Sequence, residues 1–196
     1  MARIYVKVRR AFGLGAWIAF VCSVSIGCAS TSRTVPRFDV ATTGYSVPNP
    51  NQLPATGDIY WRSVNVSDCD LAFRGPQHAF IAVSSHCGEP EQSPSVLGRQ
   101  LLVGIKNRSV ISTEEFAFAG GAAFSQVVEA KSRADSEEPA VRTKTVTLVR
   151  GGCVVDWVLA DGSLDPNIEA TFDQWWRGFD PGSMPSLKVS VAEGAP

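Results

Sequence analysis

Five large apolar side chains near the end of the chain, Ile168, Phe172, Trp175, Trp176 and Phe179, stand at i, i+4, i+7, i+8 and i+11. That spacing lines them along one side of a 3.6-residue helix, whereas on a strand it would scatter them over both faces. Asp165 offers a side-chain cap and Pro166 suits the first helical position, while Asp180-Pro181-Gly182 stops the run. So wide an aromatic stripe needs a flat apolar surface to cover it. Burying the five side chains contributes on the order of 10 kcal/mol, an upper figure because unfolded chains already bury some area. Core packing is the commoner role at such spacing. Trp175 and Trp176 diverge by ~100° around the helix, so one of them falls toward the rim of the cover, and both are candidate surface or ligand contacts.

The preceding residues read as that cover. Residues 59–64 are aromatic and β-branched, and residues 70–74 and 79–85 alternate around the turn signal Gly75-Pro76-Gln77-His78. Ser93 and Pro94 then open an amphipathic helix with Leu97, Leu101 and Ile105 at intervals of four, widened by Val96 and Leu102. Gly98 and Gly104 each weaken it by roughly 1 kcal/mol, and one of them permits a close approach to a strand. A second hairpin follows (115–118, Gly120-Gly121, 122–130), then a charged surface loop at 131–139. A third hairpin (141–149, Arg150-Gly151-Gly152, 153–160) completes the run. The expected fold is α+β: an antiparallel sheet of about seven strands, three before the first helix and four after it, covered by two amphipathic helices. Residues 58–182 form this domain. Residues 183–196 read as a loose tail in which 187–191 can add an edge strand.

The other end of the chain is of a different kind. Arg3, Lys7, Arg9 and Arg10 precede an uncharged apolar run from Ala11 to Ile26, too short to span a bilayer comfortably, and small residues follow. Residues 1–27 therefore read as an export signal. Ile26-Gly27-Cys28 at its end resembles the lipobox of bacterial lipoproteins. The resemblance implies a diacylglyceryl group on the Cys28 thiol, cleavage just before it, and an acylated amine. Ala29, in place of the Asp that retains members of that family in the inner membrane, implies the outer membrane, facing the periplasm. An ordinary secretory signal cut at Ser30 and an uncleaved anchor are the alternatives. Residues 28–57, rich in Ser, Thr, Pro and Asn, read as a lipidated N-terminus and flexible tether, from which Tyr45 and Val47 can dock on the domain.

Of the 18 basic residues four leave with the signal and of the 19 acidic residues none, so 14 against 19 give the remainder a net charge of −5. An acidic surface argues against nucleic acid and against anionic headgroups as partners. Cys69, Cys87 and Cys153 remain, enough for one disulfide by any of three pairings. Cys87–Cys153 is preferred because it ties the exit of one strand to the start of a distant one. No CxxC occurs, so a thioredoxin-like site is not expected.

Chemistry-bearing candidates are few. His78 and His86 share a strand face but stand ~27 Å apart, too far for one metal ion. Ser84, Ser85, His86 and Cys87 are neighbours that alternate sides of a strand, and no G-x-S-x-G occurs. Asp68 and Asp70 suit a turn cap and a strand end. Asp156, between Val155 and Trp157, is the candidate for a functional carboxylate; if its face is covered it needs a partner, with Arg142 or Lys144 across the hairpin expected. No catalytic residue, metal or cofactor is assigned.

An early helix, a run of hairpins and a closing helix that ends in an aromatic residue loosely resemble the PsbP/Mog1-like fold. The resemblance rests on residues 46–50 before the first strands, 97–105 and 172–179. Members of that group are mostly non-catalytic assembly or binding factors. The expected protein is a membrane-anchored periplasmic lipoprotein, held through Cys28, acting as a non-enzymatic adaptor or assembly factor for a cell-envelope complex. The alternatives are a carrier of a small apolar ligand between sheet and helix, and a hydrolase.

Overall fold

Seven antiparallel strands form the main sheet of the computed structural model, which describes residues 35–88, 92–131, 140–163 and 165–185. The signal, Cys28, the loop at 132–139 and residues 187–191 lie outside the described residues. In chain order the elements are β1 (Arg37–Val40), β2 (Tyr45–Pro48), β3 (Arg62–Ser63), β4 (Leu71–Arg74), β5 (Phe80–Cys87) and α1 (Pro94–Gln100). They continue with β6 (Arg108–Phe118), β7 (Gly121–Ala130), β8 (Val141–Arg150), β9 (Cys153–Asp161) and α2 (Pro166–Arg177). The sheet order is β3-β4-β5-β9-β8-β7-β6, so the third hairpin sits at its centre and β6 forms one edge. This is the expected α+β architecture of three strands, helix, four strands, helix.

Register explains which face each helix takes. Val155, Trp157 and Leu159 on β9 stand opposite Leu148, Val146 and Lys144 on β8, and Trp157 and Leu159 stand opposite Val83 and Ile81 on β5. This face receives α2, whose Ile168, Phe172, Trp175 and Trp176 are buried. Asp165 caps the helix by accepting from the Asn167 amide at 2.8 Å. Asp161 fixes the approach to the helix by accepting from Ser163 N and Oγ at 2.8 and 2.6 Å. Phe179 lies beyond the helix yet stays buried, edge-on to Trp157 with ring centroids 5.1 Å apart.

Residues 35–57 correct the expected tether. They form a two-stranded hairpin and two 3-10 turns on the domain rather than a free linker before it. Trp175 Nε1 donates to the Pro48 carbonyl at 3.0 Å, Arg37 donates to the Gly178 carbonyl at 2.8 Å, and Ser46 bridges Asp180 through backbone bonds of 2.9 Å each way. Tyr45 and Val47 do dock, fully buried. The ordered fold therefore begins ahead of residue 58. The first residues of the expected loose tail are likewise seated on the domain: Ser183 N donates to the Gly44 carbonyl at 2.9 Å and Met184 is buried.

The first helix is shorter than expected and shows a different face. It ends at Gln100, Leu97 is half-buried, and Val96 and Leu101 are exposed, while Gly98 and Leu102 are the buried positions. The reason is steric. Gly98 lies directly on the other sheet face, where a Cβ would stand 2.7 Å from Phe124 Cδ1 and 3.1 Å from Thr147 Oγ1. The side chain of Gln126 also donates to the Gly98 carbonyl. Close backbone approach thus wins over the four-residue apolar stripe. Gly98→Ala is expected to lower stability by about 1–3 kcal/mol through overpacking, more than the ~1 kcal/mol gained in helix propensity. Urea denaturation checks this, and a more stable variant would show that α1 is not seated on Phe124.

Candidate functional site

β4 parts from β5 after Leu71–Val83, leaving the last residues of β5 beside the loop at 68–70. The gap is a cavity of about 350 Å³ lined by Asp68, Cys69, Asp70, Ser84, Ser85, His86 and Asp156. The structure therefore gathers most of the candidate polar residues in one place. His78 is excluded, because it sits in the turn before β5 while His86 lies near the far end of that strand.

The gathered groups divide into two sets. Asp70 is an acceptor hub: Tyr45 Oη donates to it at 2.8 Å and Ser85 Oγ at 2.6 Å, with the Thr43 hydroxyl 2.9 Å from Ser85. Burial, and then the Asp70 carboxylate, push the Tyr45 phenol far above its ordinary value, so it stays a donor. Asp156 forms the other set. It stands opposite Ser84 on β5 and Thr147 on β8, and Thr147 Oγ1 donates to it at 2.6 Å. Burial pushes its carboxyl up to about 6, against the opposing pull of the Thr147 hydrogen bond.

Neither expected basic partner reaches Asp156. Arg142 and Lys144 have the opposite parity on β8 and emerge on the α2 face. There Arg142 pairs with Glu129 at 2.7 Å, and Lys144 with Glu169 and Asp173 at 2.9 Å each. Thr147 is the direct cross-strand partner of Asp156, a pairing set by the hairpin register and not legible from the sequence alone.

The chemistry open to this cavity is acid-rich and weakly nucleophilic. The Cys69 thiol is pushed up by burial and then by the Asp70 and Asp68 carboxylates, which keeps it protonated. No group of three metal-ligating side chains occurs among the described residues. Cys87 and Cys153 form a disulfide with Cα atoms 4.0 Å apart, joining directly paired positions of β5 and β9. Trp175 and Trp176 are both buried: Trp175 meets Phe73 edge-on at 5.8 Å, and Trp176 packs between Phe116 and Phe118 at 5.7 and 5.1 Å. Trp176 also forms part of the wall of a polar groove of about 500 Å³ beside β6.

No protein-family model and no curated protein matches the chain. Among solved structures it is similar to cyanobacterial PsbP (CyanoP) from Synechocystis sp. PCC 6803, with a TM-score of 0.52 and 14% identity over 79% of this chain and 98% of that one. PA94 from Pseudomonas aeruginosa, a protein of unknown function, aligns with a TM-score of 0.43 and 15% identity over 72% of this chain and 93% of that one. The first likeness shows a PsbP-like fold, and the fold alone.

A raised carboxyl makes a signed prediction. Asp156 binds its proton more tightly in the fold than in the unfolded chain. Its favourable contribution is complete below the unfolded value of 3.8 and is lost as pH rises through about 6. Asp156→Asn keeps an acceptor for Thr147 and removes the charge. The variant is expected to match the parent at pH 4 and to exceed it at pH 7.5 by at most about 3 kcal/mol. Equal pH dependence in the two proteins, read from denaturant midpoints, would place Asp156 in water.

Proposed function

We propose that this chain is a lipid-anchored protein of the bacterial cell envelope, held at the outer membrane through Cys28, whose folded domain serves without catalysis as an adaptor or assembly factor for an envelope complex. The observation that carries the adaptor role is β6. It is an edge strand of 11 residues, Arg108–Phe118, exposed along most of its length, with Val110 and Ile111 60% and 54% open to solvent. Such an edge offers backbone donors and acceptors to an added strand, and apolar side chains to hold it. The register shift between Val110 and Ser112 confines that edge against indiscriminate pairing.

Two further observations support the setting. The Cys87–Cys153 disulfide suits an oxidising compartment. With β1 starting at Arg37, only residues 29–36 would separate the lipid from the fold, a span of at most about 29 Å. The domain would then work close to the bilayer surface. The PsbP-like fold agrees with an assembly role by analogy only.

The test has two arms. The parent protein is expected in the detergent-requiring membrane fraction with a mass that starts at Cys28 plus diacylglyceryl, and Cys28→Ser is expected to abolish both. A mass starting at Ser30 without lipid would refute the anchor. A photo-reactive residue at Thr113 is expected to cross-link one discrete envelope protein, and Val110→Lys with Ile111→Lys to reduce that product about tenfold or more. The absence of any discrete product would refute the adaptor role.

A further inference from the structure

Arg62 and Arg74 face each other directly across β3 and β4. Like charges in that position destabilise a strand pair. Both side chains are exposed, and neither has an ion pair or hydrogen bond among the described residues. The two arginines line an open groove of about 930 Å³. A repulsion held at the wall of a groove calls for an anion to relieve it.

The wall that carries them is rigid. Trp61, next to Arg62, is 1% exposed, and its backbone is clamped by Asn51, which accepts from Trp61 N at 2.6 Å and donates to its carbonyl at 2.8 Å. Gly75, next to Arg74, lies so close to the Trp61 ring that a Cβ there would stand 2.8 Å from it. The backbone next to each arginine is thus held at the same indole. Gln77, on the rim of the groove, holds a left-handed backbone at φ 48°, a cost that non-glycine residues bear where the surroundings impose it.

The remaining lining selects among anions. Tyr60 is 72% exposed and offers a flat face to a ring. The amides of Gln77 and Asn167 suit hydroxyl groups, and so do the carboxylates of Asp58 and Asp165. One acidic group on a hydroxylated ring satisfies all of these. We infer that this groove is a binding site for an acidic saccharide, a sugar ring bearing a carboxylate or a phosphate, with Arg62 and Arg74 on the acid and Tyr60 against the ring. The site is separate from β6 and does not depend on the lipid anchor.

Isothermal titration of the full chain in detergent at low salt tests this, with glucuronate, glucose 1-phosphate, glucose, inorganic phosphate and an oligogalacturonate as probes. The two acidic sugars are expected to bind about tenfold or more tighter than glucose or inorganic phosphate, and Arg62→Gln, Arg74→Gln and Tyr60→Ala each to weaken them about tenfold or more. A tighter oligogalacturonate supports the site with an envelope polysaccharide as source; equal binding of monomer and oligomer supports it with a free sugar acid. The thermal midpoints of both arginine variants are expected to stay at or above that of the parent, because a repulsion is removed. Failure of every acidic probe to bind, equal binding of inorganic phosphate and glucose 1-phosphate, unchanged binding in the arginine variants, or a fall in their midpoints would each overturn the assignment.

Discussion

One indole joins the two ends of this fold. Trp175 is buried against Phe73 on the sheet, and its ring nitrogen donates at 3.0 Å to the carbonyl of Pro48 in the N-terminal hairpin. A buried N–H left without a partner costs more than the bond contributes, so the hairpin is not an optional addition to the domain. Helix α2 consequently joins the sheet to the N-terminal segment. Its apolar side covers the sheet, and its C-terminal end receives Arg37 and Pro48. The chain that follows bridges β2 through Ser46 and Asp180. Segments 127 residues apart thereby fold as one body.

The two faces of the sheet are built on different principles. The α2 face is aromatic and aliphatic, with Phe73, Ile81, Val83, Trp157 and Leu148 all essentially inaccessible. The α1 face is studded with Thr143, Thr145 and Thr147, buried although polar. A short helix lying on a threonine-rich surface gains little from apolar area and relies on contact distance instead, which is why a glycine, rather than a leucine, meets the sheet. The same polar lining brings Asp156 into partial burial with only a hydroxyl to hold it. Its carboxyl rises because burial penalises the charge, while Lys144 and Arg142, one residue out of step, are consumed by the acids of α2 and β7.

That difference in parity marks how far the sequence could be read. The order of strands and helices and the capped helix at Asp165 are legible, because periodicity, caps and turns are local signals, whereas the Cys87–Cys153 pairing is one of three that the sequence leaves open. Of β6 only residues 115–118 carry a strand signal. Residues 108–114 alternate nothing, since an edge strand open on both faces has no buried side to pattern. The N-terminal hairpin was hidden by its prolines, which suit a linker as well as they suit 3-10 turns, and only the long-range bond from Trp175 decides between them. The cavity near Asp156 was half legible: its residues were named one by one, but what collects them is the point where β4 leaves β5, a property of the sheet and not of any segment. The groove at Arg62 and Arg74 left no signal, because two arginines twelve residues apart become neighbours only through register.

A chain normally resolves its local conflicts, and where it does not, the conflict points to a role. One set of charges obeys that rule: Lys144, Arg142, Glu129, Glu169 and Asp173 form one connected network on the α2 face. Arg62 and Arg74 depart from it at the weakest part of the sheet, where β3 contributes two residues and has little ladder energy to offset a repulsion. Replacing either arginine with a neutral residue would relieve the strand pair at no cost in packing, since both are exposed. Stability alone therefore gives no reason for the pair. The buried, clamped Trp61 behind the pair fixes the backbone that carries it, and so keeps both arginines at the wall of the groove before any ligand arrives.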